Sequence, residues 1–185
     1  VYGTPAESPV TETSPTVPIN PYGSSKLMVE QILKDTAAAS DLRFVALRYF
    51  NVAGADPQGR TGQSTPEATH LIKVAAQAAL GVREGMDLYG SDYDTPDGTC
   101  VRDYIHVTDL ANVHVLALHY LTDGGDSRIM NCGYGRGYSV REVIDVVRKV
   151  SGVSFPVREI GRRAGDPASL VSDPSLVRKT LPWTP

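Results

Sequence analysis

Cysteine is scarce. The 185 residues contain only Cys100 and Cys132, with no C-x-x-C pair. Neither a disulfide framework nor a metal site is expected on that count. Reduced thiols in a cytoplasm are the expectation. No apolar run approaches the roughly 18 residues of a membrane-spanning helix, and no stretch at the start reads as a signal peptide. Basic runs interleaved with aromatics are missing, and the formal net charge is -3. Nucleic acid is therefore not an expected partner. G-x-S-x-G, Walker and H-E-x-x-H motifs are absent, as are internal repeats. His114 and His119 stand i, i+5 apart and do not share a helical face, so a zinc pair is not expected.

What remains is ordinary for a globular protein: 41% hydrophobic and 21% charged. Prolines at 5, 9, 15, 18 and 21 mark residues 4–21 as an extended loop. Pro21 suits the first position of a helix over 22–38, where Leu27, Met28, Ile32 and Leu33 recur near the helical period. Residues 43–50 predict a buried strand, with Asn51 to Ala55 turning away from it. Residues 56–66 read as loop. His70 to Leu80 predicts a helix ended by Gly81. Residues 86–90 predict a short strand, 91–99 an acidic loop, 109–122 an apolar helix and 128–132 a strand. Ser139 and Glu142 form a capping box, Gly152 ends that helix, and 155–159 suggests another strand. Helix and strand alternate, which predicts an α/β architecture with a parallel sheet.

Several clusters carry chemistry. Tyr22 and Lys26 are i and i+4, on one helix face. An ammonium beside a phenol favours phenolate, which a tyrosine needs to act as a base near neutrality. The same spacing also occurs on ordinary helix surfaces. Arg48 and Asn51 stand at the end of a strand, where α/β sheets place ligands. Arg102 is a planar cation suited to phosphate, and Asp103 either orients it or forms a plain ion pair. His106 reads as a hydrogen-bonded histidine ahead of a helix. Arg162, Arg163 and Asp166 suit a diphosphate and ribose hydroxyls, although a solvated basic turn would look the same. Gly133-Tyr-Gly135-Arg-Gly137 follows a strand, and Glu159 lies roughly 20 residues on, where a dinucleotide fingerprint would place its ribose acid. Its spacing is not G-x-G-x-x-G, and it carries Tyr134, Arg136 and Tyr138. It reads as a strand-to-helix turn capped by Ser139.

Taken in order, these blocks resemble the UDP-glucose 4-epimerase family of the extended short-chain dehydrogenase/reductase superfamily. The resemblance rests on Val1-Tyr2-Gly3, Pro21-Tyr-Gly-Ser-Ser-Lys26 through Glu30, and Arg48-Tyr-Phe-Asn51 through Ala55. It continues in Tyr89 through His106 and in Arg162-Arg-Ala-Gly-Asp166. It implies the C-terminal part of a Rossmann-like NAD-binding domain over 1–55. Residues 56–185 would be a smaller mixed α/β lobe for a UDP-sugar, with some elements returning to the sheet. It implies NAD as cofactor and a homodimer through helices that include 22–38. Tyr22 would take the proton from the sugar 4-hydroxyl as hydride leaves C4, and the 4-keto sugar would turn over before hydride returns. Lys26 would lower the Tyr22 pKa and bind the nicotinamide ribose, with Phe50 against the nicotinamide.

The resemblance also places the substrate. Asn51 would contact the sugar-phosphate, and His70 and Leu71 the substrate backbone. Asp87, Leu88 and Tyr89 would line the uracil. Arg102 and Arg163 would clamp the diphosphate, Asp166 the ribose. Leu170 would gate room around the sugar, which leaves N-acetyl sugars open. In that family the glycine-rich loop and the catalytic Ser/Thr precede the position of Val1. A fragment with little activity of its own is the expectation. Sugar-nucleotide dehydratases and decarboxylases share Y-x3-K, and a non-catalytic binding module would keep the arginines without needing Tyr22 and Lys26.

Overall fold

Pro21 opens helix α1 (Pro21–Ala39), where its missing N–H is no loss. Asn20 caps the helix, its side-chain oxygen accepting from the Gly23 N–H at 2.8 Å. The computed structural model describes residues 1–185. After α1 come β1 (Val45–Tyr49), β2 (Asn51–Ala53), α2 (Leu71–Ala79) and β3 (Met86–Tyr89). They are followed by β4 (Val101–His106), α3 (Val107–Thr122), β5 (Arg128–Cys132) and β6 (Gly137–Ser139). The chain finishes with α4 (Val140–Ser151), β7 (Val157–Ile160), β8 (Ser169–Leu170) and α5 (Ser175–Thr180).

The strands form three small sheets. β1 runs parallel to β5, with Val45 opposite Arg128 and Tyr49 opposite Cys132. At Phe50 the backbone N–H still donates to the Cys132 carbonyl, 3.2 Å away. One residue later the chain has changed sheets: β2 pairs parallel with β4, Asn51 opposite Tyr104. The first half of β4 lies between antiparallel β6 and parallel β8. β3 pairs parallel with β7. The α/β architecture is as expected, but the sheets are not wholly parallel.

Four local readings change. Asn51 to Ala53 do not turn away from the strand but form β2. The expected strand 43–50 is cut to Val45–Tyr49. β6 interrupts the turn expected after Gly133, because the antiparallel partner β4 lies alongside it. Leu80, not Gly81, is the C-cap of α2, and Gly81 follows it with φ +71. The capping box of α4 is present: Ser139 Oγ accepts from the Glu142 N–H and Glu142 accepts from the Ser139 N–H. Gly152 closes α4 at φ +71, a conformation glycine adopts without strain.

Two hydrophobic cores form. One joins α3 to β4 and β5 through Leu110, Val113, Ile105 and Met130, and is completed by Val177, Leu181 and Trp183. The other packs Ala75 and Ala78 of α2, Met86 and Leu88 of β3, Ile144 of α4 and Phe155 together. β1 and β2, on either side of the sheet change at Phe50, both pack against the first core through Val45, Leu47 and Val52, and Phe50 lines a cavity.

Candidate active site

Two open cavities, of about 680 and 890 Å³, share Asn51, His70, Arg102 and Asp166 as wall residues. They form one continuous trough. Tyr22, Lys26, Phe50 and Leu170 line the first cavity. Leu71, Asp87, Tyr89 and Arg163 line the second. All but one of the residues given a site role by the resemblance therefore line this trough.

The exception is Leu88. Its side chain is 1% exposed and sits in the core beneath α2 and α4. Side chains alternate along a strand, so Asp87 and Tyr89 face the trough and Leu88 faces inward. Leu88 lines neither cavity.

At the first cavity, Tyr22 is 70% exposed on the first turn of α1. Lys26 Nζ lies 5.3 Å from the centre of its ring. The i, i+4 spacing thus puts the ammonium against the phenol, and neither group is bound elsewhere in the protein. Phe50 supplies an apolar wall beside them. These residues fit the nicotinamide-ribose end of a dinucleotide: a hydroxyl, a free cation and a flat apolar surface face one cavity.

Arg48 was expected at this ligand crevice, and it does line the cavity. Its guanidinium is already engaged, however. It donates two hydrogen bonds of 2.7 Å to Glu30 and one of 2.9 Å to the Tyr2 hydroxyl. Burial opposes its charge, but the bonds to Glu30 and Tyr2 outweigh that and hold it above the ordinary arginine value.

At the shared wall, Arg102 donates to its own Val101 carbonyl at 2.8 Å and faces Asp166 at 3.5 Å. Leu170 stands opposite Arg102 across the β4–β8 register. The His70 ring at the start of α2 is hydrogen-bonded to the Gln63 amide at 2.7 Å. Asp103 does not orient Arg102. Neighbours on a strand point to opposite faces, and Asp103 accepts instead from the N–H groups of Tyr134, Gly135 and Ser172. His106 is the cap of α3, its Nδ1 accepting from the Thr108 N–H.

At the second cavity the two arginines of the Arg162-Arg163 pair part company. Arg163 lies over the Tyr89 ring at 4.2 Å and lines the trough. Arg162 bonds Asp92 at 2.7 Å and covers the Tyr93 ring, outside the lining. Glu159 pairs with Arg141, away from any ribose-acid role.

Several lining residues escaped the sequence reading. Tyr104 follows Arg102 by two on β4 and shares its face; the period-2 rule could have found it. Glu30 follows Lys26 by four on α1, again a legible spacing. Arg158 comes into the trough only through its pairing with Asp87 across β3 and β7, 2.9 Å away, and no local signal announces it.

The fold and trough define an α/β protein with its ligand groups at strand ends and a Tyr-Lys helix at one side. The chain belongs to the NAD dependent epimerase/dehydratase family, which it matches over residues 1–133. A UDP-glucose 4-epimerase of Azospirillum brasilense is 62% identical over the whole of this chain, which covers 53% of that protein. The crystal structure of UDP-glucose 4-epimerase from Brucella ovis in complex with NAD superposes with a TM-score of 0.94 at 49% identity. It is matched over 99% of this chain and 56% of its own. The enzyme from Bifidobacterium longum in complex with NAD+ and UDP gives a TM-score of 0.94 at 45% identity, over all of this chain and 56% of that one. This chain thus spans about half the length of the relatives it matches.

Proposed function

We propose that this chain belongs to an isomerase that interconverts UDP-glucose and UDP-galactose by C4 epimerisation through a 4-keto sugar. The observation that supports this most is the order of groups along one trough. Tyr22 and Lys26 stand at one end, Arg102 and Asp166 at the middle, and Tyr89 with Arg163 at the other. A base, a diphosphate clamp and a flat aromatic wall are the needs of a nucleotide sugar, taken in sequence from hexose to base.

Tyr22, Lys26 and Phe50 are the residues of this chain that would hold NAD+, which would supply the hydride acceptor and donor for C4. Tyr22 takes the proton from the 4-hydroxyl and gives it back. Lys26 stands beside the ring, 5.3 Å from its centre, where it would reach the nicotinamide ribose. Arg102 and Arg163 hold the diphosphate, so that the hexose can turn while the nucleotide stays fixed. Asn51 contacts the sugar-phosphate, His70 and Leu71 the substrate backbone, and Asp166 the ribose. Asp87 and Tyr89 receive the uracil, and Leu170 limits the room around the sugar.

Residues 1–55 form part of the NAD-binding domain in this reading, and 56–185 mainly the substrate lobe; the separate core around α2, β3 and α4 supports that division. A homodimer is supported by the exposed Met28 and Ile32 on α1. Two free, buried cysteines support a reducing compartment such as the cytoplasm.

The test uses a polypeptide of the relatives' full length that carries this chain. It should convert UDP-galactose to UDP-glucose, and Tyr22→Phe should lower kcat by about 10²- to 10⁴-fold with little change in KM. Retained turnover in Tyr22→Phe would exclude the assigned base.

A further inference from the structure

Helix α1 carries Tyr22 and Lys26, yet among its residues only Gly23 and Glu30 are buried. It is not held by a broad apolar face. Glu30 meets Arg48 of β1 in a two-pronged ion pair: Nε to Oε1 and Nη2 to Oε2, each 2.7 Å. The two side chains are 8% and 7% exposed. The remaining Arg48 nitrogen donates to the Tyr2 hydroxyl at 2.9 Å and to the Glu12 carbonyl at 3.4 Å. Tyr2 in turn donates to Asn131 of β5, whose amide donates to the Val10 carbonyl at 2.9 Å. One continuous network runs from α1 through β1 to β5 and the segment before α1.

A fork-to-fork pair fixes direction as well as distance. An apolar pair of the same volume would hold the helix as firmly but would let it rotate or slide. Glu30 lies one turn beyond Lys26 and about two turns beyond Tyr22. Arg48 lies two residues before Phe50 and three before Asn51. The pair therefore joins the element bearing the base to the strand bearing the opposite wall of the same cavity.

We propose that the Glu30–Arg48 pair is a positioning device that sets the height and rotation of α1, and so the reach of Tyr22 and Lys26 to a ligand held against Phe50 and Asn51. Neither residue touches the reacting atoms; both act through Tyr22 and Lys26. The proposal rests on the functional reading given above.

The experiment compares Glu30→Gln, Tyr2→Phe and the volume-matched double variant Glu30→Met/Arg48→Met with the parent, in the full-length polypeptide. Glu30→Gln should lower kcat for UDP-galactose by about 10- to 100-fold, the scale of an ångström of misplacement. KM should stay within about twofold. Tyr2→Phe, which removes only a hydroxyl, should lower kcat in the same way by less. The double methionine variant should regain thermal stability while kcat stays low. Recovery of kcat along with stability in that variant would reduce the pair to a plain structural tie and overturn the proposal. So would normal kcat in both Tyr2→Phe and Glu30→Gln. If the parent itself fails to turn over UDP-galactose, the functional reading has failed instead. Hydrogen exchange then decides the positioning claim: Glu30→Gln must speed exchange of α1 amides while those of α3 stay protected, and unchanged α1 exchange overturns it.

Discussion

Arg102 and Asp166 face each other at 3.5 Å on the wall shared by the two cavities. The Arg102 side chain is 12% exposed, so its charge is largely withdrawn from water. Its partner is at the outer limit of a hydrogen bond, and its other side-chain bond goes to the Val101 carbonyl. An anion in the trough would find most of the guanidinium fork available. Arg102→Lys keeps the charge and loses the fork. It should weaken UDP binding by about 1.5–3 kcal/mol, roughly 10- to 100-fold, the value of a charged hydrogen bond. Titration calorimetry with UDP would measure it, and an unchanged Kd would remove Arg102 from the clamp. Asp166→Asn should weaken UDP less, since a neutral amide still bonds to both ribose and arginine.

Gly54 stands where no other residue fits. Its φ is +90, and a Cβ there would lie 2.3 Å from the His106 imidazole. The ring cannot swing aside freely, because its Nδ1 caps α3 at Thr108. Gly54→Ala should therefore combine backbone strain with overlap, at about 2–4 kcal/mol of stability. Urea unfolding would show it as a lower midpoint with an unchanged slope. A loss under about 0.5 kcal/mol would mean that β2 and His106 shift apart without strain.

Much of this arrangement was legible because local rules agreed with the final packing. The helix start at Pro21, the Ser139–Glu142 box and the Gly152 stop are short-range chemistry and appear as read. The gathering of Tyr22, Asn51, Arg102, Arg163 and Asp166 came from ordered motifs rather than from spacing, which alone could not separate a site from a helix surface. What failed depended on distant partners. Asn51 to Ala53 became a strand because β4 lies beside it. Arg48 was withdrawn from the ligand because Glu30 and Tyr2 reach it. Leu88 was assigned to the base through resemblance, although alternation with its neighbours already pointed it inward.

Cys132 links burial to alkaline stability. It is fully buried, and burial, with lesser help from Asp103 and Asp109, pushes its thiol up to about 12 from the usual 9.0. Between those values the unfolded chain has lost the proton and the native chain keeps it. The unfolded state then binds fewer protons, so stability falls as pH rises, by about 1.4 kcal/mol per pH unit. Tyr104, which burial pushes to about 12 from 10.0, adds to the slope above pH 10. Cys132→Ala should be less stable at pH 7, from the lost packing, but should show a flatter decline between pH 9 and 12. Parallel slopes for the two proteins would mean that the native thiol ionises normally. The same burial predicts that a thiol reagent at pH 8 labels Cys132 only on unfolding.

Asp103 adjoins Arg102 in sequence yet acts in another direction. It is fully buried and accepts from the N–H groups of Tyr134, Gly135 and Ser172 at 2.9, 3.0 and 3.1 Å, and from the Ser172 hydroxyl. Its carboxylate ties β4 to the turn after β5 and to the segment between β8 and α5. The fit is close: a Cβ on Gly133 would lie 2.5 Å from one of its oxygens. Asp103→Asn replaces one acceptor by an amide that turns its own N–H groups toward donors. At about 1–3 kcal/mol for each buried group left unpaired, two such losses should cost about 2–6 kcal/mol of stability. Because the side chain faces away from the trough, the Kd for UDP in the folded fraction should change by less than about threefold, on the small scale of a distant, independent site. Arg102→Lys should show the reverse, with near-normal stability and weakened UDP. If Asp103→Asn instead lost UDP binding as strongly as Arg102→Lys, the two neighbours would have to act as one unit, against the alternation of β4.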